Sequence, residues 1–400
     1  MGADVKDNRA WLTLVLVSAL FFMVTGATFA SLGLALPGMV ADLKMSWTQA
    51  GMGFGLLGVF CGITSTIPAV LIRRFGVRAT LLAGAVTMGM AFLCLASAQG
   101  ALSYFAGASL AGLGFTLLAT VPGTYLLTRL FAHPSFAFGL YFTIGGLGGV
   151  AGPLLYFAVM ELSGDWRSYW LVTGALVAVI GALAALLVDT TTDLSAAHEA
   201  DPEISTESWD MRAALQTPQF WIIAAAYSGF LISGFTANSV SVAHLTQYGV
   251  TAVMAGSMMS IEALANAGAR LAGGVLVRFI SARMLLVIAL GCLIVGLLAL
   301  GVARSLPMLL VYAIGIGIGF GLAFFASTIL LLDYFGRRPY LELFAMVNLI
   351  STSAAVAPTL AGMTRDVTGG FMPFFVALSL LMGVLLLAAM MMRPPRKTLT

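Results

Sequence analysis

Four hundred residues, 60% of them apolar and only 9% charged, with a mean hydropathy of +1.02, exclude a soluble enzyme, a disordered chain and a collagen-like fibre. Soluble domains carry roughly 25% charged residues, whereas a spanning helix needs about 20 consecutive apolar ones. The apolar supply here suits a dozen spans, and a net charge of +3 is too small to point to nucleic acid.

Apolar runs between polar breaks predict twelve membrane helices. The first six cover Trp11–Leu36, Thr48–Ile72, Thr80–Ala98, Leu102–Thr128, Phe136–Met160 and Tyr169–Val188. The second six cover Gln219–His244, Ala252–Val277, Met284–Ala303, Pro307–Leu332, Tyr340–Met363 and Phe371–Met392. Between them lies the only long polar stretch, residues 189–218, with seven acids against the single base Arg212. The expected fold class is an all-α membrane protein. It comprises an N-terminal six-helix bundle (1–188), an acidic linker (189–218) and a C-terminal six-helix bundle (219–400). The run after Arg9 is too long for a signal-peptide core and reads as the first span.

Lysine and arginine concentrate in cytoplasmic loops. With the N-terminus inside, fourteen of the 19 fall on the inner side, from Lys6 and Arg9 to Arg396 and Lys397. Lys44, Arg167, Arg304 and Arg365 fall outside, and Arg270 lies inside a span. Both termini and the linker are therefore expected in the cytoplasm of a cell inner-membrane protein, acting as a monomer in the lipid bilayer.

The two halves repeat. After the second span the chain reads Arg73-Arg74-Phe-Gly76-Val-Arg78, and after the eighth Gly273-Gly-Val-Leu-Val277-Arg278-Phe-Ile-Ser-Ala-Arg283. Such duplication is expected of secondary transporters. The first loop resembles the G-x-x-x-D-R-x-G-R-R segment of the major facilitator superfamily, keeping Arg74, Gly76 and Arg78 but placing Arg73 where the acid belongs. In the second copy Gly273, Arg278 and Arg283 match, and Val277 replaces the acid. Three further stretches resemble the monocarboxylate transporter and oxalate:formate antiporter group. These are Asn266-Ala-Gly-Ala-Arg270 with Gly273; Asp333-Tyr-Phe-Gly336-Arg337-Arg338; and Pro358, Gly362 and Asp366-Val-Thr-Gly369. The resemblance implies the major facilitator fold, a carboxylate cargo and gating loops built on Arg74, Gly76, Arg78, Gly273, Arg278, Asp333, Arg337 and Arg338. The chain departs from the group by lacking a first-span lysine, an acid four residues before Arg270 and an eleventh-span lysine. A substrate with one carboxylate is therefore expected over a dicarboxylate.

Charge inside a membrane is costly and marks function by default. Away from span ends there are two cases, Glu262 and Arg270, both in the eighth span. With Asn266 they fall at i, i+4 and i+8, one stripe of a helix, and the two charges stand about 12 Å apart along the axis. Arg270 and Asn266 are the expected anion contacts, with Asn238, His244 and Thr28 as further polar positions in the substrate path. Glu262 and His244 are the candidates for proton coupling. For each, the plain alternative is helix packing: Arg270 on neighbouring carbonyls, His244 as a hydrogen-bonded interface residue, Thr28 and Asn238 as interhelical contacts. Gly139, Gly148, Gly152 and Pro153 in the fifth span resemble an antiporter motif too loosely to assign exchange.

A polytopic enzyme would need a metal or nucleophile constellation, and no H-E-x-x-H, G-x-S-x-G or His/Asp cluster appears. Cys61, Cys94 and Cys292 sit in apolar runs without a C-x-x-C pairing and read as packing residues. No cofactor is implied. The expected function is alternating-access transport of a small organic anion, a monocarboxylate of aromatic or otherwise bulky kind, coupled to protons. The alternative is export or antiport of amphipathic or hydrophobic compounds.

Overall fold

The computed structural model describes residues 2–131, 134–188, 209–336 and 339–395. Every element in it is helical, and the chain forms two compact units, Met1–Glu203 and Ile204–Thr400. Among the described residues, ten helical stretches are long and apolar enough to cross a membrane. Of the other two expected spans, Trp47–Ile63 is apolar but short, and Ala252–Leu276 carries both Glu262 and Arg270.

In the first unit, α1 (Gly2–Thr25) continues through a π-helical turn, Gly26–Ala30, into α2 (Ser31–Leu43). α3 (Trp47–Ile63) opens on a capping box between Ser46 and Gln49. The sequence reading carried this span on to Ile72. Instead it stops at Thr64-Ser65-Thr66, where Thr64 turns its hydroxyl onto the Phe60 carbonyl, and Pro68 starts α4 (Ile67–Ala96). Proline suits a helical first turn, where its missing N–H costs nothing. α4 is broken at Gly76, with φ +85° and ψ 165°, a backbone conformation open to glycine alone.

The expected fourth span is also divided, into α5 (Ala101–Leu118) and α6 (Thr120–Leu130), at Ala119. The Tyr141 hydroxyl donates to the Ala119 carbonyl at 2.7 Å, beside the longer 3.4 Å bond that this carbonyl accepts from Gly123 N–H, and Gly123 leaves room for the tyrosine ring. α7 (Pro134–Ser163) presents Gly148 and Gly152 to the first span. A methyl on Gly148 would overlap the Phe22 carbonyl oxygen, and one on Gly152 would lie 2.5 Å from that of Gly26. These glycines therefore have a packing use, close helix approach at the π turn. α8 (Trp166–Leu187) closes the unit. Arg78, just past the Gly76 break, donates from Nε and Nη2 to the Val188 carbonyl at its end, at 3.3 and 2.9 Å.

The second unit begins earlier than the sequence suggested. Trp209 packs edge-on against Phe335, and Asp210 caps the short α9 (Met211–Leu215), so residues 209–217 are not plain linker. The signal was there: an aromatic and an N-cap acid supply the apolar contact and the donor satisfaction that a solvated linker lacks. The expected linker residues 189–208 lie outside the described residues.

Then follow α10 (Pro218–Gln247), α11 (Ala252–Leu276), α12 (Ala282–Val302) and α13 (Leu306–Phe335). α14 (Tyr340–Ser351) and α15 (Ala357–Thr368) are joined by a 3-10 turn at Thr352–Val356, ahead of Pro358, and α16 (Met372–Met391) ends the fold. α13 is the hub, packed against α10, α11 and α12. Its Gly315-Ile-Gly317-Ile-Gly319-Phe-Gly321 run makes this possible by serving two neighbours. Gly315 and Gly319 meet α12 at Gly296 and Leu293, while Gly317 and Gly321 meet α11 at Ala265 and Ala269.

Candidate functional site

The stripe expected on the eighth span forms on α11, whose first turn is capped by the Thr251 hydroxyl. Glu262 is buried at 7% exposure, Asn266 and Arg270 are half-buried. The face of α13 opposite meets every member of the stripe. The Tyr312 hydroxyl lies 3.4 Å from Glu262 Oε2. Gly317 abuts the Glu262 carbonyl and Gly321 that of Asn266, so closely that a methyl on either would overlap the oxygen. The Phe324 ring lies under the Arg270 guanidinium, 4.4 Å from Cζ to centroid, with Phe320 at 5.9 Å.

Arg270 donates from Nε to Asn266 Oδ1 at 3.0 Å and has no carboxylate partner among the described residues. The carbonyl-bound alternative for this arginine is not what forms. Among the described residues its terminal nitrogens carry no hydrogen bond, and its Cζ lies over the Phe324 ring in cation–π contact. Burying a guanidinium with its donors unspent is tolerable only where water or an anion supplies acceptors.

Around it stands an aromatic wall. Phe320 meets Phe230 edge-on at 4.7 Å and seats against Gly234 of α10. Tyr227 packs edge-on against Phe230 at 4.8 Å and donates to Asn348 Oδ1 at 3.3 Å. Its ring also meets Phe324 and, from α14, Phe344, each at 6.1 Å. Asn348 is exposed and is held from behind by its own Nδ2 on the Phe344 carbonyl. Sequence reasoning missed Tyr227, Tyr312, Phe320 and Phe324. The i, i+4 spacing of Gly317 and Gly321, equal to that of Glu262 and Asn266, was the available signal.

The other expected residues fall elsewhere. His244 is fully buried near the end of α10, its Nε2 3.2 Å from the Gly301 carbonyl of α12, among Tyr248, Phe371 and Phe375. Arg304 lies over Tyr248 at 3.4 Å and Arg365 over Phe371 at 5.1 Å. The structure does not bring His244 to Arg270. Asn238 is half-buried and turns its amide onto the Gly234 carbonyl of its own helix at 2.9 Å. Thr28, in the first unit, is buried and donates to Val24.

Of the loop residues, Gly76 forms the α4 break and Arg78 the contact with Val188, while exposed Arg74 lies over its neighbour Phe75. Gly273 receives Phe325 of α13, with 2.8 Å between a would-be methyl and the ring. Arg278 is exposed in the turn after α11, and Asp333 is exposed in the last turn of α13, which runs on to Phe335 rather than stopping at Leu332. Arg337 and Arg338 lie outside the described residues. No cluster of three metal-ligating side chains occurs among the described residues.

The family model of the Major Facilitator Superfamily matches residues 16–357, and the chain belongs to that superfamily. Its members are transporters. The "Uncharacterized MFS-type transporter YhjX" of Escherichia coli (strain K12) is 24% identical over 277 residues, 65% of this chain and 64% of that protein's length. Among solved structures, the nucleoside transporter NupG superposes with a TM-score of 0.75 at 14% identity, covering 95% of this chain and 98% of that one. A bacterial homolog of the human lysosomal transporter Spinster, inward-facing and unoccupied, gives 0.74 at 15% identity, covering 96% and 93%. At these identities the likeness concerns the fold.

Proposed function

We propose that this member of the major facilitator superfamily carries a small organic anion with a single carboxylate by alternating access, coupled to protons. Arg270 is the anchor and Asn266 its support. The observation that carries the reading is the half-buried Arg270 guanidinium, stacked on Phe324 with its terminal nitrogens unspent. A guanidinium offers a planar fork that fits a carboxylate through two parallel hydrogen bonds. Asn266 spends its oxygen on Nε, which fixes the fork's orientation and leaves the site cationic.

The wall of Tyr227, Phe230, Phe320, Phe324 and Phe344 supports a cargo with an aromatic or otherwise bulky apolar body. Amphipathic or hydrophobic export would use the same wall. It would leave a buried cation without a counter-charge, and for that reason it is the weaker reading. Moving one unit charge against a membrane potential costs about 2.3 kcal/mol per 100 mV, so a co-transported proton removes that cost for a monocarboxylate.

The test is thermal shift of the detergent-purified protein against benzoate, lactate and pyruvate at two pH values, followed by uptake of labelled benzoate into proteoliposomes. Stabilisation by carboxylates but not by the matching primary amides is expected. Equal stabilisation by acid and amide would overturn the anion reading.

A further inference from the structure

We infer that Glu262 and Tyr312 together form the proton-binding site of the transport cycle, apart from the anion site and without His244. The inference rests on the transport reading above.

Glu262 lies two helical turns from Arg270 on the same α11 stripe, about 12 Å along the axis, so the two do not neutralise one another. Its side chain is buried between helices and, among the described residues, meets one polar group, the neutral Tyr312 hydroxyl of α13. Among the described residues no salt bridge reaches it. The elements against α11 are α13 and α10. The α10 groups that titrate are turned elsewhere: Tyr227 to Asn348, His244 to Gly301, and Tyr248 to Arg304. A carboxyl in that setting has no cation beside it to neutralise a charge, and water must reach it before a proton can leave.

His244 stands in the opposite situation. It shares its aromatic pocket with two rings that already carry guanidinium groups, Arg304 on Tyr248 and Arg365 on Phe371, so a third positive charge is disfavoured there.

Tyr312 is a positioning residue. As an O–H donor to Oε2 it serves both states of the carboxyl. In the acid form it holds the carbonyl oxygen. When the proton leaves to entering water, it donates to the carboxylate that remains, so Oε2 keeps the same donor in both states and Oε1 is left to the water. The same α13 face then reaches the anion site. Gly317 bears on the Glu262 carbonyl, Gly321 on that of Asn266, and Phe324 on Arg270. A shift of α11 against α13 that exposes Glu262 therefore also moves the arginine on its aromatic seat.

The test uses full-length protein in lipid bilayers and infrared difference spectroscopy of the protonated carboxyl C=O stretch as pH is stepped. A titrating band is expected in the native protein. Glu262→Gln abolishes it. Tyr312→Phe keeps it at higher wavenumber, since a hydrogen bond to the carbonyl oxygen is lost. His244→Ala leaves it in place. Persistence of the band in Glu262→Gln, its absence from the native protein, or an unmoved band in Tyr312→Phe would each overturn the inference.

In proteoliposomes, Glu262→Gln, fixed in a neutral form, should exchange labelled benzoate yet fail to accumulate it under a pH gradient. Accumulation equal to native would also overturn the inference. If benzoate neither binds nor moves with the native protein while the band behaves as expected, the carboxylate reading fails and the proton site stands.

Discussion

Replacing Arg270 separates anion recognition from packing. In a bidentate contact the guanidinium gives a carboxylate two charge-assisted hydrogen bonds of about 1.5–3 kcal/mol each. Half of that sum, allowing for water competing in the emptied site, is still about 1.5–3 kcal/mol. At about 1.4 kcal/mol per tenfold, Arg270→Ala should weaken benzoate binding by about 10- to 100-fold. Arg270→Lys keeps a charge but loses both the fork and the flat seat on Phe324 at 4.4 Å, and should cost roughly tenfold. Phe324→Ala removes a contact of about 0.5–1 kcal/mol, about two- to fivefold, and should fall between the native protein and Arg270→Lys. The assay is calorimetry on purified protein whose elution and thermal unfolding match the native. An unchanged Kd in a folded Arg270→Ala variant would refute the anchor and leave helix packing as the residue's role.

The remaining predictions concern architecture. Gly317→Val and Gly321→Val force α13 off α11 and should each destabilise the protein by about 1–3 kcal/mol; Gly268→Ala and Gly383→Ala, with open space where the methyl goes, should not, and thermal unfolding in detergent compares them. Arg78 on Val188 and Arg283 on Met392 hold the end of the last helix of each unit in the same way, Arg283 at 2.7 Å; Arg78→Ala and Arg283→Ala should therefore lower stability alike, by about 1 kcal/mol after solvent screening, and unequal effects would break the equivalence. In a background free of the three native cysteines, Gln99→Cys should react with an impermeant maleimide on intact cells, and Gln216→Cys only after the membrane is opened; the reverse would invert the expected orientation. Both glutamines are exposed in loops.

The spans were legible because lipid demands long apolar runs with internally satisfied backbones, and that demand is written residue by residue. The stripe of Glu262, Asn266 and Arg270 was legible for the same local reason, a helical period within one segment. The interruptions were not. Nothing at Ala119 marks a break, since the side-chain hydrogen bond its carbonyl accepts comes from Tyr141, 22 positions away. The π turn at Gly26–Ala30 comes with glycines supplied by α7 rather than with any residue of its own that forbids an α-helix. His244 shows the limit in another form. Its position near a helix end was read correctly, but whether it faced a substrate path or a packed interface depended on the Gly301 carbonyl and on rings from α16.

What turns the stripe into a site is the second helix, and here a pattern already present in the sequence goes further than its parts. α13 carries glycine at 315, 317, 319 and 321. A helix advances 100° per residue, so this alternate spacing places the pair 315 and 319 nearly opposite the pair 317 and 321. One pair lets α12 close in, the other α11. Glycine in a helix interior costs about 1 kcal/mol against alanine in soluble hosts, and four at once are offset here by backbone-to-backbone packing on both sides. Small-residue contacts between membrane helices hold by van der Waals fit and can slide, having no interlocking side chains to lift over one another. The ends of the α11 contact are different in kind: Tyr312 on Glu262 and Phe324 on Arg270 are specific and polar. A smooth middle with a specific contact at each end permits a small axial shift that changes both ends together. This is the reason for expecting Gly317→Val, which bears on the Glu262 carbonyl, to impair coupled accumulation of benzoate more than it impairs benzoate binding, because it disturbs the Glu262 end while the Arg270–Asn266 bond lies within α11. Equal losses in binding and in accumulation would show that the glycine contact only holds the helices together.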